Sequence, residues 1–208
     1  MMSVEYESLL QAWFGADLDD PRSVAERSRE WFGGDPSFDD LLRKEFGGLC
    51  DAAIRGDLAS WRNQARSSLA LVIALDQLPR NLFRDSPKAY RYDSAALEAS
   101  RHAVARGFDA ALHPVEAAFV YLPFEHAEAS TVQDESIALY RALLARAPVA
   151  LRGQFASYLS YAERHREVIR RFGRFPHRNE VLGRASTPEE LAYLRGGGEN
   201  FAGSESVA

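Results

Sequence analysis

One helical stripe of this chain changes from apolar to charged without changing face. Leu69, Val72 and Ile73 recur at helical spacing, which predicts that they point into a core. The same stripe continues with polar side chains: Asp76, Gln77, Arg80, Asn81 and Arg84. Burying an unpaired carboxylate or guanidinium costs several kcal/mol, so these groups need partners elsewhere in the chain. The stripe therefore predicts a polar cluster that faces the interior.

Length, composition and charge restrict the class of protein. A chain of 208 residues with a hydrophobic fraction of 46% fits one globular domain. The formal net charge of −5 predicts no general attraction to nucleic acid or to an anionic membrane. The chain shows no signal peptide, and the apolar run at 69–75 is too short to span a bilayer. We therefore expect a cytoplasmic protein without nucleic-acid or membrane partners.

Helical periodicity runs through almost every segment, and the alternation typical of strands is nearly absent. Proline, glycine and capping residues set the predicted boundaries. The predicted helices are 4–14, 21–33, one from Ser37 to Gly56, a short one at Trp61, 68 to Pro79, a short one after Ser86, one capped by Asp93 and ending at Gly107, Pro114 to Pro123, 131–147, 148–172, and one capped by Thr187. This pattern predicts an all-α fold of antiparallel helical hairpins. We predict that the helices form one domain over 1–195, followed by a frayed tail over 196–208.

A second polar group comes after Pro123. Because a proline interrupts helices, Glu125, His126 and Glu128 are predicted to lie in the first turn of a new helix. Negative charge is favoured there by the helix dipole, and Glu125 and Glu128 share a face while His126 points elsewhere. A metal site would need the Glu-x-x-His spacing of bundle metal proteins, which is absent here. We therefore predict no metal.

A third polar group ends the long helix and continues into a loop. Tyr161, His165 and Ile169 share one helical stripe, so His165 is predicted to face inward. Gly173 permits a left-handed turn, and Pro176 stiffens the rest of the loop. The loop carries four polar side chains: Arg174, His177, Arg178 and Asn179. A stiff polar loop fits either a binding site or a structural clamp.

Four motifs together resemble one bacterial family. They are D-Q-L-P-R-N-L-F-R at 76–84, Y-L-P-F-E-H-A-E at 121–128, R-F-G-R-F-P-H-R-N at 171–179 and G-R-A-S-T-P-E-E at 183–190. By these motifs the chain is similar to the domain-of-unknown-function family numbered 924. The resemblance implies a tetratricopeptide-like, right-handed superhelical array of helices. It implies no established activity.

The polar residues fit three hypotheses for the function. In the first, they form a pocket for a small anionic ligand, with Glu125 or His165 as the acid or base. The ligand-binding residues would be Asp76, Gln77, Arg80, Asn81, Arg84, Glu128, Arg174, His177, Arg178 and Asn179. In the second, the array is a module that binds an acidic peptide or a partner protein. In the third, the polar residues are a buried salt-bridge network that only fixes the packing. No glycine-rich phosphate loop or other cofactor motif is present, so we predict no cofactor.

Overall fold

The computed structural model describes residues 3–15 and 17–201. Within these ranges about three quarters of the residues are helical and none lies in a strand, which confirms the all-α prediction. The α-helices are α1 Ser3–Phe14, α2 Pro21–Phe32, α3 Pro36–Phe46, α4 Leu49–Arg55, α5 Ala65–Leu82, α6 Asp93–Ala105, α7 Phe108–Ala111, α8 Pro114–Glu125, α9 Ser130–Ala145, α10 Arg152–Phe172 and α11 Pro188–Arg195. Short 3-10 helices cover Ala59–Asn63, Pro87–Tyr90, Val149–Leu151 and Pro176–Arg178. None of the described helices is both long and apolar enough to cross a membrane.

Helix α5 is the centre of the molecule. Every residue from Ser67 to Pro79 is buried, and α1, α3, α4, α6 and α8 all contact this helix. Helix α9 packs against both α8 and α10, which extends the core away from α5. Edge-to-face contacts of Phe119 with Trp13 and Trp31 fill the core near α1 and α2. The last turns of α5 and α8 therefore meet in the interior, where the polar stripe was predicted.

Several helix boundaries differ from the predictions for local reasons. Gly47 and Gly48 split the predicted single helix into α3 and α4. Pro79 and Pro123 each lie inside a helix, and α8 ends only at Glu125. A proline removes one backbone hydrogen bond, and here the tertiary packing of the buried helix outweighs that loss. Asp93 is the first residue of α6 rather than its cap, because its carboxylate pairs with arginines instead.

Residues 196–201, the first part of the predicted tail, contact α10 and α11. Glu199 pairs with Arg164 on α10, and its backbone N–H donates to the hydroxyl of Tyr193 at 2.8 Å. The Tyr193 ring lies where a side chain on residue 198 would start, so only glycine fits there. The Phe201 ring stacks on His165 with the ring centroids 3.5 Å apart. These contacts hold the segment 196–201 against α10, and the rest of the predicted tail lies outside the described residues.

Candidate functional site

A cavity of about 510 Å³ lies where α2, α5, α8 and α10 approach the loop after α10 and the segment 196–201. Eight of the sequence-predicted site residues line it: Gln77, Arg80, Asn81, Arg84, Glu125, His165, His177 and Arg178. Aromatic side chains form much of the remaining wall: Trp31, Phe32, Tyr90, Tyr140, Tyr158, Tyr161 and Phe201. The cavity therefore has two sides. We call the eight polar residues its floor and the seven aromatic residues its wall.

Asp76 is fully buried behind this floor. Its Oδ1 lies 3.2 Å from Arg80 Nη1 and 2.8 Å from His126 Nδ1, and Gln77 donates to its Oδ2 at 2.6 Å. Burial alone would raise the pKa of Asp76, but the charge of Arg80 and the contact with His126 outweigh it and hold that pKa below its ordinary value. Asp76 is thus an ionised carboxylate with three partners, and the predicted pair with Arg80 on one helix face is present.

A second carboxylate, Asp93, joins two of the three guanidiniums in the floor, those of Arg80 and Arg178. Arg80 Nη2 lies 3.0 Å from Asp93 Oδ1, and Arg178 Nη1 lies 3.4 Å from Asp93 Oδ2. Arg178 also donates to the carbonyl oxygen of His126 at 3.1 Å and lies over the Tyr90 ring. Its Nε atom is buried without a hydrogen bond to any described residue. Arg178 therefore keeps one buried N–H group without a hydrogen-bond partner in the described part of the chain.

Glu125 is a buried carboxyl group that lines the cavity. Its Oε1 lies 3.3 Å from His165 Nδ1, and no cation contacts it in the described part of the chain. Burial, with a smaller contribution from the charge of Asp76, raises the pKa of Glu125 to about 8. Because α8 continues to Glu125, this group lies at a helix C-terminus, so the predicted first-turn placement is wrong. At neutral pH Glu125 is mainly the protonated acid.

His126 also lines the cavity, although the sequence predicted that it would point elsewhere. The error arises from Pro123, which was expected to break α8 and instead lies inside it. The buried amide of Gln133 donates to the carbonyl oxygens of Glu125 at 2.7 Å and Ala127 at 2.8 Å. Those carbonyls have no partner within α8, so Gln133 fixes the backbone that carries Glu125 and His126.

Two further floor residues, Asn81 and Arg84, pair with Asp39 on α3, whereas His177 has a ring nitrogen without a hydrogen-bond partner among the described residues. Arg84 contacts both carboxylate oxygens of Asp39, at 2.5 and 2.9 Å, and Asn81 donates to Asp39 at 2.8 Å. His177 Nδ1 is buried without a hydrogen bond to the described residues. Burial and the nearby charge of Arg178 lower the pKa of His177 to about 3, so its imidazole is neutral.

The structure does not bring Glu128, Arg174 or Asn179 into the cavity. Glu128 pairs with Arg184 at 2.6 Å and accepts from the backbone N–H of residue 175 at 2.8 Å. Arg174 contacts both oxygens of Glu190, at 2.7 and 2.8 Å, and Asn179 donates to Glu190 at 3.2 Å. These five residues form the outer cluster, which fastens the loop after α10 to the start of α11. Their role in the structure is a clamp.

Arg174→Met is expected to lower the urea midpoint of unfolding at neutral pH. The hydrogen bonds from Arg174 hold the pKa of Glu190 at about 2, against an ordinary value of 4.5. A lowered pKa stabilises the fold above the ordinary value, and that contribution is lost as the pH falls toward the lowered value. Urea unfolding at several pH values checks this: the deficit should shrink in acid. A deficit that is independent of pH would contradict the assigned pairing.

A metal or a reactive cysteine finds no support in the described residues. No group of three or more His, Cys, Asp and Glu side chains within 3–15 and 17–201 has the geometry to hold a metal ion. Cys50 is buried, and burial raises the pKa of its thiol to about 12, so it is not a nucleophile at neutral pH.

Comparisons with known proteins identify relatives but no activity. The model of a family described as "Bacterial protein of unknown function (DUF924)" matches residues 9–198. Among solved structures, the protein of unknown function ATU0120 from Agrobacterium tumefaciens is similar, with 36% identity and a TM-score of 0.80. The alignment covers 94% of this chain and 99% of that protein. No curated protein matches.

Proposed function

This chain belongs to the bacterial family of unknown function DUF924, as its four motifs indicated, and we propose that its cavity binds a small organic anion and carries out acid–base chemistry on it. One observation carries the proposal. The same cavity contains a buried protonated acid, Glu125, and a buried guanidinium, Arg178, with an unused N–H group. What supports the proposal is that the acid and the guanidinium line one cavity, since a buried polar group without a partner costs about 1–3 kcal/mol and a bound anion could supply that partner.

Charge balance in the floor constrains how an anion binds. Asp76 and Asp93 already balance Arg80 and Arg178, so a bound anion adds a net negative charge. Three neutral imidazoles line the cavity: His126, His165 and His177. Burial lowers the pKa of each, and an anion acts in the opposite direction. Binding is therefore coupled to proton uptake and tightens as the pH falls.

The test uses inorganic phosphate and acetate as probes. Calorimetric titrations in two buffers of different ionisation enthalpy measure both the affinity and the protons taken up. We expect Arg178→Met to weaken binding by roughly 10- to 100-fold, as expected for loss of a charge-assisted hydrogen bond. Arg178→Lys keeps the charge but loses the forked donors, so it should fall in between. Arg141→Met is the matched control, because Arg141 pairs with Glu163 on the surface. Absence of binding to the parent protein, or equal effects of Arg178→Met and Arg141→Met, would exclude the proposal.

The second hypothesis, a module for an acidic peptide or a partner protein, has weaker support. It includes a tetratricopeptide-like right-handed array, and the packing of α9 on both α8 and α10 is compatible with such an array. A groove that binds an amphipathic helix of a partner needs a continuous exposed apolar surface. The large exposed apolar side chains of the described residues are instead scattered along the chain: Leu41, Ile54, Val149 and Leu191. The cavity therefore favours the small ligand.

A further inference from the structure

We propose that Glu125 and His126 form a proton donor and acceptor pair, in which His126 Nε2 takes a proton from the substrate and Glu125 delivers one to it. This inference rests on the proposed function and assigns its chemistry. The two groups are consecutive in the chain, and both line the cavity at the end of α8. The sequence offered Glu125 or His165 as the acid or base; here Glu125 is the acid and His126, not His165, is the base.

The contact with Asp76 fixes the tautomer of His126. Asp76 is ionised and therefore accepts only, so the Nδ1 atom of His126, 2.8 Å from Asp76 Oδ1, carries the hydrogen. The lone pair of the neutral ring is then on Nε2. No residue within 3–15 and 17–201 forms a hydrogen bond with Nε2, and the ring remains partly exposed to the cavity. Asp76 is the positioning residue of this pair, because it orients the ring without lining the cavity.

His165 is poorly placed to accept a proton from a substrate. Its Nδ1 donates to the carbonyl oxygen of Tyr161 at 2.9 Å, and its side chain is 4% exposed. Phe201 covers one face of its ring, and the Phe175 ring approaches at 5.5 Å. Its pKa lies well below the ordinary value because of burial. Glu125 Oε1 lies 3.3 Å from the same Nδ1 atom, whose hydrogen is already used by the Tyr161 carbonyl.

The position of Arg178 defines the class of substrate. Its guanidinium donates to the backbone oxygen of His126, so an anionic group held by Arg178 lies beside the proton acceptor. The substrate is then a small carboxylate or phosphate ester with an acidic O–H or C–H close to the anionic group. The aromatic wall contacts the apolar part of such a molecule.

The proton transfers balance within the pair. The O–H or C–H bond of the substrate breaks, its electron pair stays on the substrate, and the proton moves to His126 Nε2. The O–H bond of Glu125 breaks, and its proton moves to the substrate atom that gains electron density. Glu125 is left as a carboxylate beside an imidazolium, and one proton returning from His126 to Glu125, directly or through solvent, restores both groups. No oxidant or further reactant is needed.

Two measurements on the full chain test the assignment without a known substrate. Nitrogen-15 NMR of the histidine rings reports which ring nitrogen of His126 carries hydrogen; we expect Nδ1. Diethyl pyrocarbonate acylates accessible unprotonated imidazole nitrogens, and peptide mass spectrometry gives the rate for each histidine. We expect His126 to react about tenfold or more faster than His165, which reacts only when the structure opens locally. Hydrogen on Nε2 of His126, or faster reaction at His165, overturns the assignment.

Variants separate the role of Asp76 from general stability. Asp76→Asn should abolish the preference for hydrogen on Nδ1 of His126, whereas Asp134→Asn, which removes a surface partner of Arg166, should not. If Asp76→Asn does not fold, the measurements on the parent protein still decide the assignment. Protection of His126 by inorganic phosphate tests the proposed function separately. A reactive His126 that phosphate does not protect contradicts the anion site alone. An unreactive His126 in a protein that still binds phosphate in the calorimetric titration contradicts the acid–base pair alone.

Discussion

Asp76→Asn is expected to lower the free energy of unfolding by about 3–5 kcal/mol at neutral pH, the largest stability loss expected from a change in this cavity. The carboxylate is fully buried and lies within 3.2 Å of both Arg80 and His126. Removing its charge leaves Arg80 desolvated with only Asp93 to balance it, while Asp93 also serves Arg178. Urea unfolding followed by circular dichroism measures the loss.

The matched control is Glu163→Gln, which breaks an ion pair of similar length on the surface. Glu163 and Arg141 are 3.2 Å apart, with side chains 49% and 63% exposed, so we expect a change below about 1 kcal/mol. The loss in Asp76→Asn should also decrease in acid. A lowered carboxyl pKa stabilises the fold above the ordinary value of 3.8, and this contribution disappears as the pH falls below it. If both variants lose the same free energy of unfolding, the buried ion pair of Asp76 stabilises the fold no more than the surface pair does.

The stripe on α5 shows how much of the site can be predicted from the sequence. Helical spacing alone places Asp76 and Arg80 on the face that carries Leu69 and Ile73, and the structure buries that face. The cost of burying charge predicts partners from other segments, and His126 and Asp93 supply them. Periodicity and the physics of burial therefore locate the centre of the cavity.

The identity of those partners was not predictable from local patterns. Pro123 indicated a helix break, but packing holds α8 together as far as Glu125, and this changes the direction of His126. Asp93 precedes a helical segment as a capping residue does, and only the folded chain brings Arg80 and Arg178 to it. No local signal in the sequence places Glu125 and His126 at a helix C-terminus, because both the proline and the negative charge favour a helix start there.

The outer cluster contains residues that the sequence assigned to the site and that the structure places outside the cavity. Arg174 and Asn179 occur in the same short loop as His177 and Arg178, so the sequence grouped all four in one site. The loop turns at Gly173, whose φ of 71° lies in the left-handed region, and again at the 3-10 helix Pro176–Arg178. These turns send the members to different sides of the loop. Such a division depends on backbone direction, which spacing in a loop does not encode.

Glu125→Gln is expected to raise the stability of the protein at neutral and mildly alkaline pH, the reverse of Asp76→Asn. The pKa of Glu125 is about 8 in the folded protein, against an ordinary value of 4.5. A raised carboxyl pKa means that the native state binds the proton more tightly, so stability is present below the ordinary value and is lost as the pH rises toward the raised one. Each pH unit corresponds to about 1.4 kcal/mol, which puts the full cost on the order of 3–5 kcal/mol.

Glutamine keeps the shape of the protonated acid and cannot ionise. The stability difference between Glu125→Gln and the parent protein should therefore be small near pH 4.5, the ordinary carboxyl value, and increase steadily toward pH 8. Urea unfolding across this range measures it, with Glu135→Gln as the control, because Glu135 is exposed and pairs with Arg101 on the surface. A loss of stability at every pH would show that Glu125 is a structural group. A gain would show that the fold keeps this acid at a cost to its own stability, which is typical of groups retained for function.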